Sequence, residues 1–202
     1  EEKADEGAGG AAGGAGGDAA KDKGGSKGDG GKGGAVTAYE GALPKGVDLD
    51  DCMSVSIMQV KGLPARAAKA KVAVSLTFFD GSTHAAEPVA AKLGVATLDW
   101  KRTFDCKAGS RGAEVLRAAL GEAAEKGASD LKFEVTDAGK GAAIGTATVN
   151  VGDLLDQHAK DVTHHTAKIV DADGKDAGEL VVGLRMWDIF QKLFASTASP
   201  RE

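Results

Sequence analysis

The run Asp171-Ala172-Asp173-Gly174-Lys175-Asp176 gathers three carboxylates within six residues. An EF-hand loop offers oxygens to calcium from such a stretch, but over a longer fixed spacing and between two helices. This run lacks both, and the Asp-Gly pair reads as a hairpin turn. Gly139, Gly141 and Gly145 resemble a phosphate loop only in composition. A phosphate loop must lead into a helix N-terminus, and these lead into strand-like alternation. His164 and His165 are adjacent, so on a strand they point to opposite faces and cannot chelate together. His84 and His158 are isolated. Cys52 and Cys106 lack the local ligand pair that marks a zinc site. No Ser-His-Asp order and no paired catalytic carboxylates stand in a motif. The expectation is a chain that is not an enzyme and holds no cofactor and no metal.

The elements that would position any site are mostly strands. Leu131, Phe133 and Val135 alternate with Lys132, Glu134 and Thr136, the period of a half-buried strand. A glycine-rich turn follows, and Ile144–Val151 resumes the alternation. Similar runs are Cys52–Val60, Lys71–Phe79, Val95–Cys106, Val162–Val170 and Gly178–Arg185, with a short edge strand expected within Ser82–Lys92, ending at Pro88. Ser110–Lys126 changes to helical period, with Val115, Leu116, Ala119, Leu120 and Ala123 on one face. Asp153–His158 is expected to form a helical turn. Met186–Phe194 returns to helical spacing before a frayed end. About eight short strands separated by turns predict an all-β antiparallel sandwich with one inserted helix and a C-terminal helix.

Composition sets the outer limits. The first 34 residues hold about half of the 30 glycines and almost no large apolar side chain. Such a stretch cannot offset its chain entropy by burial, so residues 1–47 are expected to be a Gly/Ala-rich tail or linker, residues 48–187 the folded domain, and 186–202 a C-terminal helix and frayed end. The net charge is −5, and the tail's charges are mixed. Neither favours nucleic acid or an anionic membrane. No apolar run reaches the length of a membrane span. Two cysteines suit buried thiols in a reducing compartment. The chain does not begin with Met, and it is expected to be part of a longer polypeptide.

Four stretches together resemble the C2 domain family. Asp99-Trp100-Lys101-Arg102-Thr103-Phe104 resembles its tryptophan-centred strand, and Leu131-Lys132-Phe133-Glu134-Val135 the strand before its third loop. Ile144-Gly145 resembles the start of the next strand, and Gly178-Glu179-Leu180-Val181-Val182 the closing strand. Within the family the pattern is most similar to the C-terminal C2 domain of the RPGR-interacting-protein group. That similarity rests on the helix Ala113–Lys126, the turn Val151–Asp156 and the Gly-x-Leu-x-Val close. The resemblance implies a scaffold that binds other proteins of a large ciliary or axonemal assembly in the cytoplasm.

C2 domains take calcium between their first and third loops. The third loop keeps Asp137, but Gly139 and Ala142 stand where further acids would match. The first loop, Gly62–Lys71, has no acid and carries Arg66, Lys69 and Lys71. One carboxylate cannot supply six to eight oxygens, so no calcium is expected. The alternative is a peripheral membrane-targeting C2 domain, with Arg66, Lys69, Lys71, Lys101 and Arg102 as its basic patch. Partner binding is expected at Met186, Trp187, Ile189, Phe190, Leu193 and Phe194. These hold three of the chain's nine aromatics within eight residues, Trp187 bordering the apolar face, directly after the last strand with no loop to reverse the chain; the alternative is that this helix folds back on its own sandwich.

Overall fold

The computed structural model describes residues 34–158 and 160–195. Ten strands and three α-helices follow one another: β1 (Ala38–Glu40), β2 (Cys52–Lys61), β3 (Lys71–Thr77), β4 (Thr83–Ala85), β5 (Val89–Ala90), β6 (Ala96–Asp105), α1 (Arg111–Leu120), β7 (Asp130–Asp137), β8 (Ala142–Asn150), α2 (Val151–His158), β9 (Val162–Val170), β10 (Asp176–Arg185) and α3 (Trp187–Phe194). Eight strands were expected. The stretch around Pro88 divides into β4 and β5, which both pair with β3. Proline has no N–H for a ladder, and this divided edge is where it is tolerated. The tenth strand, β1, lies inside the range read as tail and pairs with β6. Val36 ahead of it is buried. The rest of that tail range, residues 1–33, falls outside the described residues, as do 196–202.

All strand pairs are antiparallel. The ten strands form one continuous sheet in the order β1-β6-β2-β10-β9-β8-β7-β3-β4, with β5 also on β3, and it folds over at the β9–β8 step into two facing sheets. They meet at a single register pair, Thr146 on β8 with Val170 on β9. Gly145 makes that junction possible: a Cβ there would stand 2.6 Å from the Val170 carbonyl oxygen. The alternating apolar residues fill the space between the sheets. Val55, Ile57, Val72, Val74, Leu76, Leu131, Val135, Leu180 and Val182 are all fully buried. Trp100, Phe104 and Phe133 are buried with them, as the strand phase predicts. Phe78, just past β3, stacks on Phe104 of β6 with ring centroids 3.8 Å apart, joining the two sheets through the core.

Helix α1 is shorter than the expected Ser110–Lys126. Ser110 caps it, its Oγ accepting from the Ala113 N–H at 3.3 Å. Gly121 ends it, taking an extended ψ of 163° while its N–H still donates to Arg117. The expected helical turn near Asp153 is the two-turn helix α2, which begins at Val151.

Helix α3 folds back on its own sandwich, the alternative that the sequence left open. Met186 alone, at φ −158° and ψ −4°, turns the chain from β10 into the helix. No loop was needed to fold it back. Met186, Ile189 and Leu193 are buried in the chain's own core. The helix lies against the turn Leu49–Asp51 and against α1.

Candidate functional site

One end of the sandwich gathers four connections: 62–70 between β2 and β3, 91–95 before β6, 138–141 between β7 and β8, and 171–175 between β9 and β10. The strand registers that place them together are Lys61 with Glu179, Val60 with Ala96, and Val72 with Asp137. Here the first and third loops together offer a single acid, and the hairpin 171–175 adds Asp171 and Asp173 beside them.

That acid, Asp137, is buried. Its Oδ1 accepts from the backbone N–H of Gly139 at 3.0 Å and of Lys71 at 3.3 Å. Its Oδ2 lies 3.8 Å from Lys140 Nζ. The carboxylate is thus committed to closing its own loop, with an ammonium already beside it. Around it Arg66, Lys69, Lys71 and Lys140 line a groove of about 660 Å³. Among the described residues, no three His, Cys, Asp or Glu side chains group as a metal-ligand set.

Asp171 stands at the neighbouring hairpin. Its Oδ1 accepts from the backbone N–H groups of Asp173 and Lys175, both at 3.0 Å, so the EF-hand-like run is a hairpin turn as expected. Arg66 reaches its Oδ2 at 3.1 Å and ties loop 62–70 to this turn. The Lys175 N–H first, then Asp173 and Arg66, hold the Asp171 carboxyl below its ordinary range.

The most exposed apolar side chain of this end escaped sequence reasoning. Leu93 is 96% exposed, at φ +53°, between Lys92 and Gly94. A leucine is sterically strained in that backbone region. Nothing in the local sequence marks it, because a Lys-Leu-Gly string is ordinary turn composition.

The basic patch expected from Arg66, Lys69, Lys71, Lys101 and Arg102 does not form as one surface. Arg102 shares the inward phase of Trp100. Its guanidinium carbon lies 5.6 Å from the Trp100 ring centroid, and its Nη1 pairs with Glu40 of β1 at 2.9 Å. Lys101 points to the other face, into a separate groove of about 410 Å³ with Ser56, Met58, His164 and Gly183. Arg66, Lys69 and Lys71 alone reach the loop end.

A serine, a histidine and an aspartate do meet, at Asp80, Ser82 and His84. Ser82 Oγ donates to Asp80 Oδ1, and lies 3.1 Å from His84 Nε2. The order is wrong for a nucleophile: the carboxylate holds the serine, where an activating triad has it orient the histidine. Asp80 instead anchors the entering chain, its Oδ2 accepting from the Val36 N–H at 2.7 Å. Both cysteines are free and buried. Burial first, then neighbouring carboxylates, pushes Cys52 up to about 11; burial pushes Cys106 up to about 12. Such thiols stay protonated and unreactive at neutral pH.

The six residues of the expected partner face divide. Met186, Ile189 and Leu193 face the core, whereas Trp187, Phe190 and Phe194 are half-buried. Those three form a row of rings, with centroids 5.8 Å apart for Trp187 and Phe190 and 4.7 Å for Phe190 and Phe194. Polar contacts lock the helix down. Asp161 Oδ1 accepts from the N–H groups of Met186 and Trp187 at 2.8 and 2.9 Å. Arg185 binds the Leu49 carbonyl, Asp50 and Asp188, and Lys192 binds Asp51.

No protein-family model matches this sequence, and the comparison with curated proteins found no match. Solved structures do match in shape. The CC2D1B structure superposes with a TM-score of 0.53 at 15% identity, covering 78% of this chain and 67% of that one. The fold is that of a C2 domain. A C2 domain-containing protein aligns with a TM-score of 0.47 at 16% identity, over 66% of this chain and 86% of the other. A C2 domain of plant extended synaptotagmin 1 aligns at 0.44 and 14%, over 67% and 92%. At these identities the likeness speaks of the C2 fold alone.

Proposed function

We propose that this chain is a non-catalytic, calcium-independent C2 module that binds other proteins within a larger assembly. The observation that carries the reading is Asp137. The one acid of the first and third loops is buried, bonded to two backbone amides, and ringed by side-chain cations, while Asp171 of the neighbouring hairpin is held by its own turn and by Arg66. A calcium ion arriving there would meet one occupied carboxylate and four positive charges, where it needs six to eight free oxygens.

Protein binding is assigned to the exposed parts of the half-buried rings of α3, Trp187 and Phe190, with Phe194 stacked on them; all three also pack against the core. Large half-buried aromatics of this kind dominate protein contacts. Placement of the assembly in the cilium or its axoneme, in the cytoplasm, follows from the similarity of the sequence to the RPGR-interacting-protein group. The test is the double substitution Trp187→Ala with Phe190→Ala in cells that assemble cilia. The variant is expected to keep its fold and to lose its place in detergent-extracted axonemes. Retention at the wild-type level would defeat the assignment.

Leu93 favours a second reading, in which the loop end docks on a membrane. A nearly bare leucine beside Lys92 has the form of an interfacial anchor. Sedimentation with anionic vesicles in chelator separates the two: Leu93→Ser lowers binding under the membrane reading and changes nothing under the scaffold reading.

A further inference from the structure

Strand β1 is held mainly by its neighbour β6. Ala38, Tyr39 and Glu40 pair with Phe104, Thr103 and Arg102, and the Asp105 N–H donates to the Thr37 carbonyl at 2.9 Å. Val36 ahead of them is buried, with its N–H on Asp80. The β6 edge suits this strand by chemistry. Ala38 and Glu40 share the inward face with Phe104 and Arg102, so the edge takes a small side chain and, two residues on, a carboxylate. The Arg102 side chain is 17% exposed, and its Nη1 pairs with Glu40 at 2.9 Å. Its Nε has no hydrogen-bond partner among the described residues. Taking Glu40 away strands a largely buried guanidinium, so this edge is costly to leave bare.

The connection behind β1 is built differently. β1 and β2 lie on either side of β6 and run parallel, so the chain must lead back along the sheet between them. Residues 41–48 do this while exposed or half-buried. Gly41 and Gly46 have φ of +74° and +91°, and the Val47 N–H bonds within the stretch, to the Pro44 carbonyl. The next anchor is the turn Leu49–Asp51, tied down by Arg185 and Lys192. Residues 41–48 can therefore straighten with little loss of burial.

We propose that β1 is exchanged between two copies of this chain, Ala38–Glu40 of each pairing with β6 of the other. The bare edge is disfavoured, but an identical strand restores every contact. The closed and exchanged forms then differ mainly in the conformation of 41–48 and in the entropy of association, which concentration sets. A second copy is the occupant that brings Val36, Ala38 and Glu40 to their registers together. The exchange uses neither α3 nor the groove around Asp137, so it stands apart from the proposed function.

The experiment mixes two full chains, one with Glu40→Arg and one with Arg102→Glu. Each alone sets like charges against each other at this register. In an exchanged dimer of the two, both pairs are opposite in charge. Co-refolding at high concentration is expected to shift the mixture from monomer to dimer mass by light scattering, with one chain of each kind by native mass spectrometry. The chain carrying both substitutions serves as the folding control. A second readout leaves Arg102 in place: chains with Tyr39→Cys and with Thr103→Cys are mixed and oxidised. A disulfide between chains is expected, more of it at higher protein concentration, and less when Glu40→Arg is added to the first chain. Both cysteines in one chain test that this register pair can close. Mixed dimers absent while the control folds, no bond between chains where the same pair closes within one, or dimers with no 39–103 bond would overturn the proposal.

Discussion

At the scale of single residues, His84 shows how the sandwich edge couples to pH. Burial first, then the nearby Arg102 guanidinium, lowers its pKa below 6.5, with Asp80 opposing. His165 is lowered as well, by burial and by His158. A folded-state pKa below the unfolded one means the unfolded chain binds more protons in the window beneath 6.5. Stability contributed by the neutral rings is full above that value and is lost as pH falls through it towards the folded pKa. The melting temperature is expected to drop as pH falls below 6.5, and His84→Gln should shrink that drop. An unchanged pH slope in the variant would mean His84 is not the titrating group. Leu93 belongs to this scale too. A residue's exposure at a loop tip is decided by neighbours far away in sequence, and no local pattern announces it.

At the scale of elements, the strands were legible because a two-sided sheet imposes period two on the chain. Met53, Val55 and Ile57 of β2 are buried as their alternation requires, and the same holds for β3, β7 and β10. Where the phase met a charged residue it was less legible. Arg102 sits inward in β6, and it is kept there by Glu40 on β1, a strand too short to show its own period. The ends of helices were legible only in part: Gly121, not the later Gly127, stops α1. The docking of α3 was hidden because a single residue, Met186, makes the reversal. Its anchor, Asp161, lies 25 residues away on the approach to β9. Removing it by Asp161→Ala should cost about 0.5–2 kcal/mol, the worth of a helix cap. Urea unfolding measures the cost, and amide exchange in α3 should rise more than elsewhere. Uniform exchange across the chain would show that Asp161 does not hold this helix in particular.

At the scale of the whole molecule, one continuous sheet folds into two layers around one core, joined through backbone at a step with a single register pair. Stability then depends on side chains that reach from one sheet to the other. Phe133, 1% exposed, belongs to that core. Phe133→Ala should cost about 3–5 kcal/mol, and a near-neutral effect on chemical unfolding would place the ring outside it. The groove between the first and third loops was legible in the sequence as a shortage of acids. Its gain of cations was not, because Lys140 joins Arg66, Lys69 and Lys71 only through the register of β3 with β7.

The proposed calcium independence rests on the side-chain cations that surround Asp137 between the first and third loops. The most direct measurement is the melting temperature of the full chain with excess calcium and with chelator. A ligand of the native state at a hundred times its dissociation constant adds about 2.7 kcal/mol, a shift of several degrees. Identical melting curves are expected in both conditions. A calcium-dependent rise that chelator reverses would contradict the proposed independence.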